Sequence, residues 1–241
     1  DSVEADGVNL NRAFVTGAGM EPALSGITHR LAAFVRRAIW PAVHLVIDLH
    51  AGGAVARFAP CASFHPLDDP ALGPLTEEMT RWFGTPVVLV YQNRTPGLLT
   101  SEAERLGKVT VGAELGWGEA VSPAGVRYGR QGVLAAAVRQ GILRGRVEPI
   151  AHHADGTQRK VSAVDPACYV PAPFPGLYEP LLDCGVSVRA GQTVGLLHDF
   201  HRLDEAPFQV RAPFSGIVVA QAWEARVRHG QHVLVVGEVL D

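Results

Sequence analysis

Residues 46–53 read Val46-Ile47-Asp48-Leu49-His50-Ala51-Gly52-Gly53. The apolar, partly β-branched run that ends at Ile47 predicts a buried strand of a parallel sheet, because strands covered on both faces lose the polar alternation of half-exposed ones. Asp48 and His50 then lie at the carboxyl end of that strand, where open α/β sheets place their ligands. His50 is therefore a candidate metal ligand. The alternative is a histidine that only hydrogen-bonds the following turn.

Strands and helices alternate on both sides of this stretch, which predicts an α/β fold with a mainly parallel (mixed) sheet flanked by helices. Apolar residues at helical spacing from Ser25 to Trp40 predict a helix whose apolar side covers the sheet. Ser101-x-x-Glu104 is a candidate capping box that would open a short helix. The other predicted elements are a helix over Pro70–Phe83, strands over Pro86–Tyr91 and Lys108–Leu115, and a helix within Gly125–Leu143.

Glu114 lies at the end of the predicted strand over Lys108–Leu115, just as His50 lies at the end of an earlier strand. Because the carboxyl ends of parallel strands meet at one edge of a sheet, these two side chains are expected to face a common cleft. A glutamate within an apolar strand is costly unless it has a partner. Glu114 is thus a candidate for acid–base chemistry. The alternative is a carboxylate tied to a structural arginine.

The loop Asn9-Leu10-Asn11-Arg12 offers further polar groups. An arginine supplies a planar fork that binds a carboxylate through two hydrogen bonds, and a neighbouring amide can add a donor to the same anion. Asn11 and Arg12 therefore predict a clamp for a substrate carboxylate. The alternative is a surface loop whose arginine pairs with a nearby acid.

The composition limits the partners and the cellular setting. The chain has 241 residues and a net charge of −3, so neither nucleic acid nor a membrane surface is an expected partner. No apolar run approaches the roughly 20 residues of a bilayer span and the first residues are no secretory signal, so the expected location is the cytoplasm. The three cysteines are far apart and indicate neither a disulfide framework nor a thiolate zinc site. Assembly as a homo-oligomer stays open.

Near residue 150 the sequence changes to short predicted strands separated by glycine and proline. This change divides the chain into two expected domains, residues 1–150 and residues 151–241. The second is rich in short strands and contains a repeat with a period of about 40 residues, which favours a small quasi-symmetric sandwich or barrel. In the first copy the matching segments are Val170–Leu177 and Val188–Val194. In the second copy they are Val210–Ile217 and Val227–Val233, in the same order. This half resembles the lipoyl/biotinyl domain, but the segment His198–Glu205 between the copies has no lysine to carry a cofactor.

Three motifs stand in a fixed order along the first half of the chain. They are Asn9-Leu10-Asn11-Arg12-x-Phe14, Asp48-Leu49-His50-x-Gly52-Gly53 and Ala113-Glu114-Leu115-Gly116. Together they resemble the succinylglutamate desuccinylase/aspartoacylase family, relatives of the zinc carboxypeptidases, and especially its bacterial branch of N-acetyl-diaminobutyrate deacetylases. The resemblance extends through the rest of the chain. It implies a zinc-carboxypeptidase-like catalytic domain in residues 1–150 and a β-rich domain in residues 151–241 that restricts substrate entry.

The resemblance also implies roles for single residues. His50 matches the family's third zinc ligand, and Glu114 matches the general base. Asn11 and Arg12 match the pair that holds the substrate carboxylate. The implied activity is zinc-dependent hydrolysis of the amide bond of a small N-acyl amino acid, with Zn²⁺ as the cofactor.

The family takes its first two zinc ligands from an H-x-x-E motif upstream of the Asn-Leu-Asn-Arg loop, and no H-x-x-E occurs in this chain. The expectation is that an amino-terminal portion with those ligands lies outside this sequence, so that the chain alone does not complete the zinc site. Two alternatives stay open. One is a metallocarboxypeptidase that acts on short peptides, and the other is a noncatalytic binding fragment without a complete zinc site.

Overall fold

The structure is a computed structural model that describes residues 5–15, 26–67, 69–91, 96–118, 120–148 and 158–240. The α-helices in these ranges are α1 (Ile27–Phe34), α2 (Leu72–Arg81), α3 (Leu99–Arg105) and α4 (Pro123–Arg139). Helix α1 continues as a π-helical turn over Val35–Ile39 and a 3-10 turn over Trp40–Ala42, and further 3-10 turns lie at Leu10–Arg12 and Pro166–Cys168. None of the described helices is long and apolar enough to cross a membrane.

The strands of the described residues form two sheets. They are β1 (Leu45–His50), β2 (Ala56–Phe58), β3 (Cys61–Phe64), β4 (Val87–Tyr91), β5 (Val109–Glu114), β6 (Arg159–Ala163), β7 (Tyr169–Pro171), β8 (Gly176–Pro180), β9 (Ser187–Val188), β10 (Thr193–His198), β11 (Phe208–Arg211), β12 (Gly216–Ala222), β13 (Arg226–Val227) and β14 (His232–Val239). The larger sheet has the order β1-β5-β3-β4-β6-β14-β12-β2, with β7 and β9 paired to β14 and β12. The smaller sheet has the order β11-β10-β8-β13.

The part of the larger sheet that consists of β1, β5, β3, β4 and β6 is mixed and mainly parallel, which confirms the predicted α/β fold. Strands β1 and β5, β3 and β4, and β4 and β6 are parallel pairs, whereas β3 runs antiparallel to β5. The prediction that β1 is a buried strand is wrong. Residues 45–48 are only half-buried, and Leu49 and His50 are exposed. Within the described ranges β1 pairs with β5 alone and forms an edge of the sheet.

Helix α1 does not bury the face that its apolar spacing predicts. Ile27, Leu31 and Phe34 are 46%, 43% and 55% exposed, whereas Thr28 and Ala32 are fully buried. Small side chains let the helix approach its neighbours closely, which turns the larger apolar residues outward. The π-helical turn that follows changes the residue spacing per turn, so the 3.6-residue pattern does not continue to the end of the segment.

Strands β7 to β10 are repeated by β11 to β14 in both order and pairing. Strand β8 pairs with β10 as β12 pairs with β14, and β10 pairs with β11 as β14 pairs with β7. Each sheet of this part therefore combines strands from both copies, around a core that includes the fully buried Val194, Leu197, Val218 and Leu234. This pairing agrees with the repeat in the sequence. The likeness to the lipoyl/biotinyl domain stays a prediction.

Hydrogen bonding continues from the sheet of the first half into the repeat, because β14 pairs with β6 and β6 pairs with β4. The domain boundary near residue 150 falls at residues 149–157, which lie outside the described residues. The division into residues 1–150 and 151–241 therefore stays a prediction.

Candidate active site

A cavity of about 250 Å³ opens over one face of the strands β1, β5, β3 and β4. Alternate residues of a strand point to the same face, and the pairing of β1 with β5 sets Asp48 opposite Gly112 and His50 opposite Glu114. The cavity is lined by Asp48, His50, Gly112, Glu114, Ser63 and Tyr91 from these strands and by Asn11 and Arg12 from the first 3-10 turn. The structure thus brings together all four site residues that the sequence predicts.

Burial dominates the environment of Glu114. Its Oε2 is buried and has no hydrogen-bond partner in the described part of the chain. Burial raises the pKa of Glu114 to about 7, while the charge of His50 acts in the opposite direction and that of Asp48 adds to the rise. A carboxylate in this setting accepts a proton readily, and a positive charge placed beside it would stabilise its ionised form.

His50 is oriented by Asp48, two residues earlier on the same face of β1. The Nε2 of His50 lies 2.9 Å from Asp48 Oδ2 and 3.1 Å from Asn11 Nδ2. The hydrogen bond with Asp48 is the main cause that raises the pKa of His50, and burial opposes it. Nε2 cannot donate to Asp48 and accept from Asn11 at once, so the tautomer decides which of the two contacts is a hydrogen bond. In the tautomer that donates to Asp48 the lone pair lies on Nδ1, to which none of the described residues forms a hydrogen bond, and Nδ1 can then bind a ligand.

Asn11 connects the 3-10 turn to helix α3. Its Oδ1 accepts a hydrogen bond of 2.7 Å from the N–H of Leu99, the first residue of α3, and this fixes its Nδ2 toward His50. The side chain of Asn9 accepts a 2.8 Å hydrogen bond from the N–H of Asn11 and so caps the turn. The two asparagines therefore hold the turn at the rim of the cavity.

Arg12 lies at the exposed side of the cavity. Its Nη1 donates a hydrogen bond of 2.6 Å to the carbonyl oxygen of Asn11. No carboxylate among the described residues forms an ion pair with Arg12. These residues therefore do not support the alternative of a surface arginine paired with a nearby acid. The guanidinium fork remains able to bind an anionic group of a ligand.

Asp6 anchors the loop that leads to Asn11 and Arg12. Its two carboxylate oxygens accept hydrogen bonds from the N–H of Thr28 at 2.9 Å and from the hydroxyl of Thr28 at 2.7 Å. Asp6 thereby satisfies a free N–H group in the first turn of α1. A Cβ at Gly26 would stand 2.4 Å from Asp6 Oδ2, so a side chain at this position would displace the carboxylate from Thr28. The hydrogen bonds, first among them the one from the Thr28 N–H, lower the pKa of Asp6.

Asp6→Asn is expected to lower the urea midpoint of unfolding at neutral pH. Because the pKa of Asp6 is lowered in the folded state, its ionised form stabilises the fold above the ordinary pKa of 3.8, and this contribution is lost as the pH falls through the lowered value. The difference between wild type and variant should be constant near neutrality and vanish in acid. Urea unfolding at a series of pH values measures it.

Asp69→Asn provides the control, because among the described residues the Asp69 carboxylate accepts a single hydrogen bond, of 2.8 Å from the N–H of Ala71 within its own turn. This variant should show no comparable loss at neutral pH. An Asp6→Asn difference that persists unchanged in acid would contradict the assigned role of the carboxylate.

Ser63, Tyr91 and Gly112 line the cavity as well, although the three motifs do not single them out. A Cβ at Gly112 would stand 2.8 Å from Ser63 Oγ and 3.8 Å from Tyr91 Oη, so the glycine leaves room for both hydroxyls. Burial raises the pKa of Tyr91, and its hydroxyl therefore stays protonated. Tyr91 ends β4, which is parallel to β3 and therefore antiparallel to β5, so the rule that identified His50 and Glu114 does not apply to it.

The described residues do not complete a metal site. They contain no group of three or more histidine, cysteine, aspartate or glutamate side chains arranged to hold a metal ion. The open Nδ1 of His50 and the unpartnered Oε2 of Glu114 suit a cation beside them, but a zinc site takes at least three protein ligands. Any further ligands would have to come from outside the described residues.

The family profile described as the succinylglutamate desuccinylase/aspartoacylase catalytic domain matches residues 4–138, which is more than half of the chain. The chain belongs to this family. The resemblance that the three motifs indicate is thereby confirmed. The roles of Asn11, Arg12, His50 and Glu114 stay predictions.

Relatives of known sequence and structure agree with this membership. The N-alpha-acetyl-L-2,4-diaminobutyric acid deacetylase of Halomonas elongata is 29% identical over 237 residues, which are 98% of this chain and 67% of that protein. A solved succinylglutamate desuccinylase/aspartoacylase from Rhodobacter sphaeroides is 32% identical with a TM-score of 0.89, over 100% of this chain and 70% of that one. The product-bound ectoine utilization protein EutE (DoeB) from Ruegeria pomeroyi is 26% identical with a TM-score of 0.88, over 98% and 69% of the two chains.

Proposed function

We propose that the protein is a zinc-dependent deacylase that hydrolyses the amide bond of a small N-acyl amino acid. The main support is the cavity itself, in which the buried, unpartnered Oε2 of Glu114 shares one space with His50 and Arg12. The deacetylase from Halomonas elongata, which aligns with 98% of this chain, supports the same reaction class. The cavity volume of about 250 Å³ favours a small substrate.

Arg12 and Asn11 would bind and orient the substrate. The guanidinium of Arg12 can hold the substrate carboxylate through two hydrogen bonds, which places the amide over the strands β1 and β5. Asn11 keeps the turn in place through its bond to α3. Because orientation converts a bimolecular step into an effectively unimolecular one, this clamp contributes to the rate as well as to binding.

Glu114 would carry the proton. As a water molecule attacks the amide carbon, its proton passes to Glu114 Oε2, and a carbon–oxygen bond forms. Glu114 then returns this proton to the amide nitrogen as the carbon–nitrogen bond breaks, which releases a carboxylic acid and a free amine. Burial makes Glu114 a stronger base than an exposed carboxylate, and this suits it to the first step.

Zinc is proposed as the cofactor on the strength of the family resemblance. This chain offers His50 as a ligand, and the described residues do not supply the remaining ones.

The test uses the protein purified from its complete reading frame. It is expected to release free amine from N-acetyl amino acids, among them N-acetyl-diaminobutyrate, and to lose this activity on dialysis against a zinc chelator and regain it with added Zn²⁺. N-acetylated amines that lack the carboxylate serve as controls for the Arg12 clamp and should be poor substrates. Preferential cleavage of unblocked dipeptides would identify a carboxypeptidase instead. A protein that neither binds zinc nor turns over any of these amides would be a binding module.

A further inference from the structure

A second buried polar cluster lies beside the cavity. His65, the residue after β3, is 2% exposed, and its Nδ1 lies 2.8 Å and 3.0 Å from the two carboxylate oxygens of Glu104 in α3. Thr110 of β5 donates its hydroxyl to Glu104 Oε1 at 2.6 Å. Three elements of the fold therefore fix the orientation of the His65 ring.

The His65 ring packs directly against Tyr91. The ring centroids are 4.4 Å apart and the ring planes are tilted by 53°. Tyr91 ends β4 and lines the cavity that holds Glu114, whereas neither His65 nor Glu104 lines it. A chain of contacts thus leads from Thr110 through Glu104 and His65 to a side chain at the cavity wall.

Packing alone does not explain this cluster. The Nε2 of His65 is buried and has no hydrogen-bond partner among the described residues. A buried polar atom without a hydrogen-bond partner lowers the stability of a fold. An apolar residue of similar size at position 65 would avoid this loss of stability. Polar groups that a protein retains at such a cost are expected at functional sites.

We propose that the Glu104–His65 pair positions Tyr91 so that its hydroxyl contacts the substrate. This inference rests on the proposed function. Glu104 holds the imidazole through its two oxygens, and the imidazole holds the phenol ring through their contact. Tyr91 also packs against the core around Leu89 and Val161. Loss of Glu104 or His65 therefore weakens the support of the ring on one side, so that the hydroxyl is held less firmly at the wall and its contact with the substrate weakens.

A double-mutant cycle tests the positioning. His65→Gln keeps a donor for Glu104 but removes the ring that contacts Tyr91, and it is expected to lower kcat/KM about 10-fold, as loss of an outer partner of a functional residue does. Tyr91→Leu should cause a loss at least as large. In the Tyr91→Leu background, His65→Gln should change kcat/KM by less than about 2-fold, because coupled residues are not additive. Losses that multiply would overturn the proposal.

A spectroscopic readout keeps this proposal distinct from the proposed function. The chain has four tyrosines, and after labelling with 3-fluorotyrosine the variant Tyr91→Phe assigns the ¹⁹F resonance of Tyr91. Both His65→Gln and Glu104→Gln are expected to shift that resonance and to leave the other three in place. An unchanged Tyr91 resonance in an active protein would overturn the positioning alone. A wild type without amide hydrolysis would overturn the proposed function.

His198→Gln is the matched control, because His198 forms the same kind of pair with Glu179 at 2.7 Å on an exposed part of the repeat. It should change neither kcat/KM nor the Tyr91 resonance. An equal effect of His198→Gln would show that the measured losses are not specific to the pair beside Tyr91.

Discussion

Glu114→Gln is expected to lower kcat about 10²- to 10⁴-fold, which is the range that a positioned acid–base group contributes. Glutamine keeps the size of the side chain but cannot take the proton of the attacking water or return it to the leaving amine. Arg12 and the rest of the cavity are unchanged, so KM should change little. Steady-state release of amine from an N-acetyl amino acid measures both constants.

Stability measurements separate this catalytic loss from a damaged fold. Burial raises the pKa of Glu114 from 4.5 to about 7, so in metal-depleted protein its ionised form opposes folding increasingly as the pH rises through this interval. Glu114→Gln should therefore unfold at an equal or higher temperature than wild type above neutral pH. Glu179→Gln, at an exposed carboxylate, should keep full activity. Full turnover by Glu114→Gln would show that another group is the base.

The proximity of His50 and Glu114 could be predicted, because the sequence pattern that indicates it is local. Each residue ends an apolar strand, and parallel strands in register bring their ends together, as β1 and β5 do. The direction of β3 could not be predicted, since it depends on partners distant in sequence. Because β3 is antiparallel to β5, the cavity extends over a face of the sheet and takes in Ser63 and Tyr91.

The capping box predicted at Ser101 and Glu104 is wrong for a related reason. Helix α3 begins at Leu99, whose N–H is capped by the side chain of Asn11 from far upstream in the sequence. Ser101 therefore lies inside the helix, and Glu104 is free to reach His65. A local sequence pattern cannot show that a distant side chain supplies the helix cap. The buried pair of Glu104 and His65 joins two separate elements, so no periodic pattern in the sequence predicts it.

Glu102→Ala is expected to lower the free energy of unfolding by about 3 kcal/mol, near the lower end of the range for breaking a buried ion pair. Glu102 is 4% exposed and accepts hydrogen bonds from Arg36 Nε at 2.6 Å and from Trp40 Nε1 at 2.9 Å. Alanine leaves the buried indole N–H without an acceptor, whereas Arg36 keeps some access to water and its bond to the carbonyl of Val15. Urea unfolding at neutral pH measures the loss.

The control for Glu102→Ala is Glu78→Ala, because Glu78 pairs with Arg139 at 2.6 Å on the surface. Exposed pairs contribute about 0–1 kcal/mol, so a loss of the same size in both variants would mean that burial of Glu102 does not matter. Glu102→Ala should also raise KM for N-acetyl amino acids. Helix α3 holds Asn11 at its first N–H, and a loosened helix therefore loosens the turn that carries Arg12.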